Sequence, residues 1–298
     1  MQTALIYIAT ILIWGSTWIM IKFQLGVVPP QVSLTYRFAI AAVVLVGFGL
    51  ALGRRLRISL RDVPAVAVQG IFMFSANYYF VYNGTQFVTS GLIAVLFTSL
   101  VLINLINERI FFGAPIRLPA IVAGCTSLFG IGLMFWPEIR TLSLQDDTVK
   151  GIALVLTGAY MASLGNMAAI VNTRRRLPVV AVNAHGMALG ALCSALFALY
   201  AGQPFIVDWR LPYLGSLLFL AIPGTAIAFG FYLMLIERIG VAKATYTSVM
   251  LPVVALLIST IFEGYRWTGM AIAGLIIALI GNAIALSTKA PAAPSKPD

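Results

Sequence analysis

Ten runs of about 20 apolar residues follow one another along this chain, and that is the length an α-helix needs to cross a bilayer. They lie at roughly 3–22, 31–52, 63–82, 89–107, 117–136, 150–171, 180–201, 212–236, 242–262 and 267–287. The segment Ala41-Ala42-Val43-Val44-Leu45-Val46 is apolar on every side, whereas a barrel strand is about 10 residues long and alternates strictly. The reading is all-helical and membrane-integral. The runs take up most of the 298 residues, so the connecting loops are short and leave no room for a soluble domain. Composition agrees: 61% of residues are apolar and 9% are charged. That leaves too little polar surface to cover a soluble globule and far too much hydrophobicity for disorder. The first run has no Lys or Arg ahead of it and no small-residue cleavage site behind it, so it reads as a retained span rather than a leader. The Pro-rich end from Ala290 to Asp298 reads as a disordered tail.

A net charge of +10 would suit a nucleic-acid binder if the basic residues formed one solvated patch. They sit instead in short stretches between the apolar runs, so no nucleic-acid partner is expected. Taking alternate loops, one side collects Arg54, Arg55, Arg57, Arg61, Arg109, Arg117, Arg174, Arg175, Arg176, Arg238, Lys243, Lys289 and Lys296. The other side collects only Lys22, Arg140, Lys150, Arg210 and Arg266. The positive-inside rule places the richer side in the cytoplasm, with both termini. The two cysteines, Cys125 and Cys193, lie within apolar runs and offer neither a disulfide framework nor a zinc spacing.

Ten spans divide into two sets of five, and an odd number starts the second set from the opposite face. Related halves would then be inverted repeats, a recurrent transporter plan. Tyr79 and Tyr232 each precede a valine by nine residues (Val88 and Val241), and Glu108 and Glu263 close the spans that follow. Ala123-Gly124 and Ala273-Gly274 recur in the next spans.

These features resemble the drug/metabolite transporter superfamily in its ten-helix form with two EamA-type halves. The resemblance covers about 4 to 287. Trp14-Gly15-Ser16-Thr17 matches the family's Trp-Gly-small pattern, Arg37-Phe38 its Arg-Phe, Glu108 and Glu263 its span-closing glutamates, and Pro252 its ninth-span proline. Thr98-Ser99 stands where a proline is common, and Asn107-Glu108 and Glu263-Gly264 replace the usual Gly-Glu order. The resemblance implies two repeats, 1–140 and 141–288, followed by the tail 289–298. It also implies a central cavity lined by helices 1–4 and 6–9. Within the superfamily the chain is most similar to the YddG-type exporters of aromatic and other amino acids, which implies the bacterial inner membrane as its location.

The chemistry held in the spans is sparse. No Asp or Glu falls in mid-span, and Glu108, Glu237 and Glu263 sit at ends within three residues of Arg109, Arg238 and Arg266. Those pairings read as structural. Without a mid-membrane carboxylate to load and release protons, the expectation is a facilitator. His185, the only histidine, could carry a proton, though beside Asn183 it also reads as a packed group. Arg37 reads as snorkelling or as a contact for a substrate carboxylate, and Lys22 as an end anchor.

Recognition would fall to aromatic, hydroxyl and amide groups on helical stripes. The stripes are Trp14, Thr17 and Trp18, with Ser16 as a further candidate; Ser75, Tyr78 and Tyr82, with Asn77 as a further candidate; and Tyr160, Ser163 and Met167 with Asn166 beside them; Phe229 and Tyr232, and Tyr246 and Ser248, add more. Tyr82 and Tyr246 also suit an interfacial aromatic belt. Gly186 and Gly190 form a small-xxx-small spacing for close helix approach. Gly15, Gly158 and Pro252 can loosen helices, and Gly15 and Gly158 mark spans one and six as the expected moving pair. The function read from this pattern is export of mostly neutral amino acids, with hydrophobic drugs or other small metabolites as the alternative. Nucleotide sugars would call for inward cations at the phosphates. An intramembrane enzyme would need a nucleophile, acid or metal constellation that is not there. No metal and no cofactor are implied.

Overall fold

The computed structural model describes residues 2–115, 118–134, 136, 147–239, 244 and 247–287. Among these, helices fall on each expected apolar run. They are α1 (Gln2–Lys22), α2 (Pro30–Ala51), α3 (Val63–Ile71, a π-helical turn Phe72–Ala76, then Asn77–Gly84) and α4 (Ser90–Leu96, a 3-10 turn Phe97–Ser99, then Leu100–Phe112). They continue with α5 (Leu118–Met134), α6 (Asp147–Arg174), α7 (Val179–Tyr200), α8 (Leu211–Ala221, a π turn Ile222–Ile227, then Ala228–Ile239), α9 (Thr247–Glu263) and α10 (Gly269–Ser287). Among the described residues six helices are long and apolar enough to cross a membrane, and Leu118–Met134, Met250–Glu263 and Gly269–Ile284 are shorter apolar helices. The expected 140/141 division, the tail 289–298, Tyr246 and the side chain of Phe229 lie outside the described residues.

Local chemistry sets the ends. Pro30 opens α2, where its missing N–H costs nothing. The Thr89 hydroxyl caps α4 by accepting from the Leu92 N–H at 3.3 Å. Gly113 closes α4 at φ 65°, a left-handed conformation that only glycine adopts cheaply. Within the spans, hydroxyls of Thr10, Thr35, Thr85 and Thr260 bond back to carbonyls four residues earlier and so hide their own polarity.

The three irregular turns have separate causes. In α8, Pro223 has no N–H to give the helical ladder, and the Thr225 hydroxyl reaches the Leu220 carbonyl five residues back at 2.9 Å. In α4, the Thr98 and Ser99 hydroxyls take the carbonyls of Val95 and Leu96 at 2.8 and 2.6 Å and tighten the turn to 3-10. In α3, no proline or glycine lies within Phe72–Ala76, and the turn packs against α6 and α7.

Packing repeats at an offset of five helices. The pairs α1–α9, α1–α8, α2–α8 and α9–α10 have counterparts in α6–α4, α6–α3, α7–α3 and α4–α5, while α2–α7 and α5–α10 map onto themselves. Small residues allow the closest crossings. A Cβ on Gly70 would stand 2.3 Å from the Gly186 carbonyl oxygen, and one on Gly190 would stand 2.9 Å from the Gly70 carbonyl oxygen. Gly130 and Gly274 bring the α5 and α10 backbones together in the same way. Leu128, Phe129, Ile276 and Ile280 of that pair are exposed, a side-chain face suited to hydrocarbon rather than to water.

Candidate functional site

The Trp-Gly-Ser-Thr segment of α1 is built into a contact with α8. The Trp14 indole N–H donates to the Gly224 carbonyl at 3.1 Å, and its ring lies 5.3 Å from that of Tyr232. The α8 π turn sets that carbonyl off the regular ladder. The Ser16 and Thr17 hydroxyls bond back to Ile13 and Trp14. Gly15 lets α1 approach α9, since a Cβ there would meet the Val254 side chain at 2.6 Å. Trp18 packs against Phe97 with ring centroids 4.8 Å apart. In sequence, Pro223 and Gly224 were the available signal for this turn, and they were not among the expected site residues.

The α3 stripe divides between two neighbours. Ser75 shares a hydrogen bond of 2.8 Å with Ser194 of α7. Asn77 donates to the Met73 carbonyl at 3.4 Å, and its buried Oδ1 has no partner among the described residues. Gly158 of α6 lies against Asn77, where a Cβ would stand 3.0 Å from the Asn77 carbonyl. Neither Gly15 nor Gly158 interrupts its helix: α1 and α6 run unbroken, and the irregular turns fall in α3, α4 and α8. Both glycines are instead points of close packing, Gly15 against Val254 and Gly158 against Asn77.

Higher in α3, Tyr82 is wholly buried rather than placed in an exposed belt. Its hydroxyl donates to Gln24 Oε1 at 2.5 Å and accepts from Arg37 Nη1 at 3.4 Å. The Arg37 guanidinium lies over the Tyr78 ring at 4.4 Å and the Phe38 ring at 5.1 Å. Arg37 is 2% exposed, so it does not snorkel. The aromatic faces of Tyr78 and Phe38 cover it instead.

At the same end, Glu263 closes a second cluster. It pairs with Lys22, and its Oε2 accepts from the Ser90 N–H at 2.9 Å and the Ser90 hydroxyl at 2.5 Å. The expected partner was Arg266; the observed one is Lys22, from the far end of the sequence, because α1 packs directly on α9. A cleft of about 550 Å³ opens beside this cluster, lined by Lys22, Leu25, Gly26, Thr85 and Gln86 among others. At the opposite end Arg175 pairs with Asp62 at 3.0 Å. In the loop before α8, Asp208 accepts from Arg210 at 2.7 Å, and these hydrogen bonds hold the Asp208 carboxyl below the usual carboxylate range.

In α6, Ser163 is buried and accepts from Asn107 at 2.9 Å, and Asn166 bonds Asn104 at 3.3 Å. Met167 is buried on the same helix. Tyr160 is 44% exposed and does not join this group. Ser248 is half-buried near the start of α9, and Pro252 is buried within it. His185 is exposed on α7, its Nδ1 2.9 Å from the Ala181 carbonyl of its own preceding turn. The buried neighbour Asn183 bonds Gln69, which in turn accepts from Asn172, tying α7, α3 and α6 together without the histidine. Among the described residues no cluster of His, Cys, Asp and Glu could hold a metal.

Comparison with known proteins places these features in context. The EamA-like transporter family model matches residues 1–136 and 149–287. An uncharacterized transporter of Archaeoglobus fulgidus is 25% identical over 94% of this chain and 97% of its own. YedA of Escherichia coli, named as an uncharacterized inner membrane transporter, is 28% identical over 91% and 88%. YoaV of Bacillus subtilis, also named as an uncharacterized transporter, is 22% identical over 84% of each chain. One solved crystal structure superposes with a TM-score of 0.67 at 20% identity, covering 95% of this chain and 96% of that one.

Proposed function

This chain belongs to the EamA-like transporter family and is a multi-pass membrane protein, and from that premise we propose that it exports amino acids, aromatic and other mostly neutral ones, from the cytoplasm across the inner membrane. The observation that carries this reading is the makeup of the buried polar groups. Within the spans they are amides, hydroxyls and aromatic rims, among them Gln69, Ser75, Asn77, Tyr82, Asn107 and Ser163, with Arg37 as the one fully buried cation among the described residues. Such a set solvates a small zwitterion by hydrogen bonds without fixed charge pairs along the path.

In this reading all ten helices span the membrane as two inverted five-helix repeats. The five-helix offset of the packing pairs, the π turns in the third helix of each half and the two stretches matched by the family model support it. Both termini lie in the cytoplasm, where the loops richer in Lys and Arg belong. Transport proceeds by alternating access, and the end held by Lys22, Ser90 and Glu263 faces outward and is fastened in this conformation. His185, exposed and turned onto its own helix, takes no part, and transport runs down the substrate gradient without a coupled proton. The substrate set in the first instance contacts Trp14, Ser75, Asn77, Tyr78 and Tyr232.

Purified protein in liposomes loaded with labelled Phe, Thr or Met, with and without a pH gradient, tests the reading. Efflux of these amino acids that is independent of the gradient is expected. No movement of any of them overturns the substrate class. Movement of a lipophilic dye in their place favours the drug-export alternative.

A further inference from the structure

The ion pairs among the described residues join Asp62 to Arg175, Asp208 to Arg210 and Glu263 to Lys22. Arg37, buried about 10 Å into α2 by its seven-residue distance from the helix start, is in none of these pairs. Its Nε has no hydrogen-bond partner among the described residues, and neither does Nε2 of Gln24. These two unmatched donors belong to the two side chains that meet on the Tyr82 hydroxyl. A buried donor without an acceptor is costly, and each one calls for an explanation. Two donors on either side of one hydroxyl, one of them cationic, present the complement of a carboxylate, whose two oxygens accept from a guanidinium and a neighbouring N–H.

Their position points to a ligand rather than to a packing defect. Thr85 lies three residues beyond Tyr82, one helical turn further along α3, and Thr85 lines the cleft beside Lys22 and Gly26. Gln24 lies in the turn after α1, between Lys22 and Leu25, both of which line that cleft. Tyr82 is thus one helical turn along α3 from a residue that lines the cleft, and Gln24 directly precedes another.

We propose that Arg37 and Gln24 form the seat of the substrate's carboxylate, held over the Tyr78 ring as the molecule passes toward the outer cleft. This deepens the export reading and rests on it for the direction of travel, but not for the chemistry of the seat. A displacement of the turn at 23–29 uncovers both donors, and the acid takes the place of the Tyr82 hydroxyl on Arg37 while its second oxygen accepts from Gln24 Nε2. Substrates are then selected for the carboxylate, whatever their side chain.

The test uses full-length protein in nanodiscs, with binding measured for phenylalanine, phenylalaninamide, 3-phenylpropionate and phenethylamine. The two carboxylates should bind more tightly than the amide and the amine by about tenfold or more. Arg37→Gln should erase that preference. Because removing a buried cation can impair folding, Gln24→Glu serves as the second variant. It supplies a built-in carboxylate beside Arg37, and it should raise thermal stability while abolishing the acid preference. A purely structural role for Arg37 predicts altered stability with the acid preference intact in Gln24→Glu, and that result overturns the proposal. So does equal binding of acid and amide to the wild type, or no binding of any carboxylate. If 3-phenylpropionate binds and phenylalanine does not, the amino-acid reading fails while the seat stands.

Discussion

The indole N–H of Trp14 donates to the backbone carbonyl of Gly224, 210 residues along the chain, at 3.1 Å. That bond joins the first helix to a π turn that exists because Pro223 interrupts the α8 ladder. Replacing Trp14 with Phe keeps a ring against Tyr232 and removes the donor. The expected cost is about 1 kcal/mol of stability, seen as a lower melting temperature in detergent. A changed ratio of Phe to Thr efflux should accompany it, and an unchanged ratio would remove Trp14 from the substrate set.

The α3–α7 crossing tolerates no added atom at Gly70. Gly70→Ala would press a Cβ to 2.3 Å from the Gly186 carbonyl, backbone against backbone. A loss of about 1–3 kcal/mol is expected, with a matching fall in folded yield. Gly47→Ala is the control: nothing lies within 4 Å of a Cβ there, and helix propensity alone predicts a gain of up to about 1 kcal/mol. Thermal unfolding of the two variants side by side checks both signs.

Lys22 and Glu263 differ in burial, with side chains 34% and 6% exposed. A double-mutant cycle of Lys22→Met and Glu263→Gln should give a coupling of about 1 kcal/mol, the upper range for a pair still open to solvent on one side. Glu263→Gln should also weaken the tie to Ser90. A cysteine placed at Gln86, on the wall of the adjoining cleft, should then react faster with a water-soluble thiol reagent. An unchanged rate would mean that the cluster does not fasten this end.

His185→Ala should leave efflux and its pH dependence unaltered, because the ring is exposed and bonded within its own helix. Flux measured with and without an imposed proton gradient decides the matter. Loss of gradient-driven flux in this variant would restore the histidine as a proton carrier.

The apolar runs made the helices legible, because length and continuous hydrophobicity are local properties. Partnerships across the chain were not. Arg266 was the obvious partner for Glu263 at three residues' distance, yet Lys22 takes that place from 241 residues away. Arg37 looked free to snorkel because nothing local announced that Tyr78 and Phe38 would roof it over. The two π turns show the same limit from both sides. Pro223 could have betrayed the one in α8, whereas Phe72–Ala76 carries no residue that breaks a helix. Ser75 and Tyr82 do contact other parts of the chain, but their partners, Ser194 of α7 and Gln24 of the turn after α1, are visible only once the helices are assembled.

Each π turn amounts to one surplus residue retained inside a helix. Losing it would rewind the segment by about 100°, the rotation one residue makes in an ordinary helix. Everything after the turn would then face a new neighbour. In α3 that segment carries Tyr78 and Tyr82; in α8 it carries Tyr232. A relative shorter by a single residue at either turn would therefore present different side chains at the same sequence letters. In aligning such relatives, the gap belongs within 72–76 or 222–227.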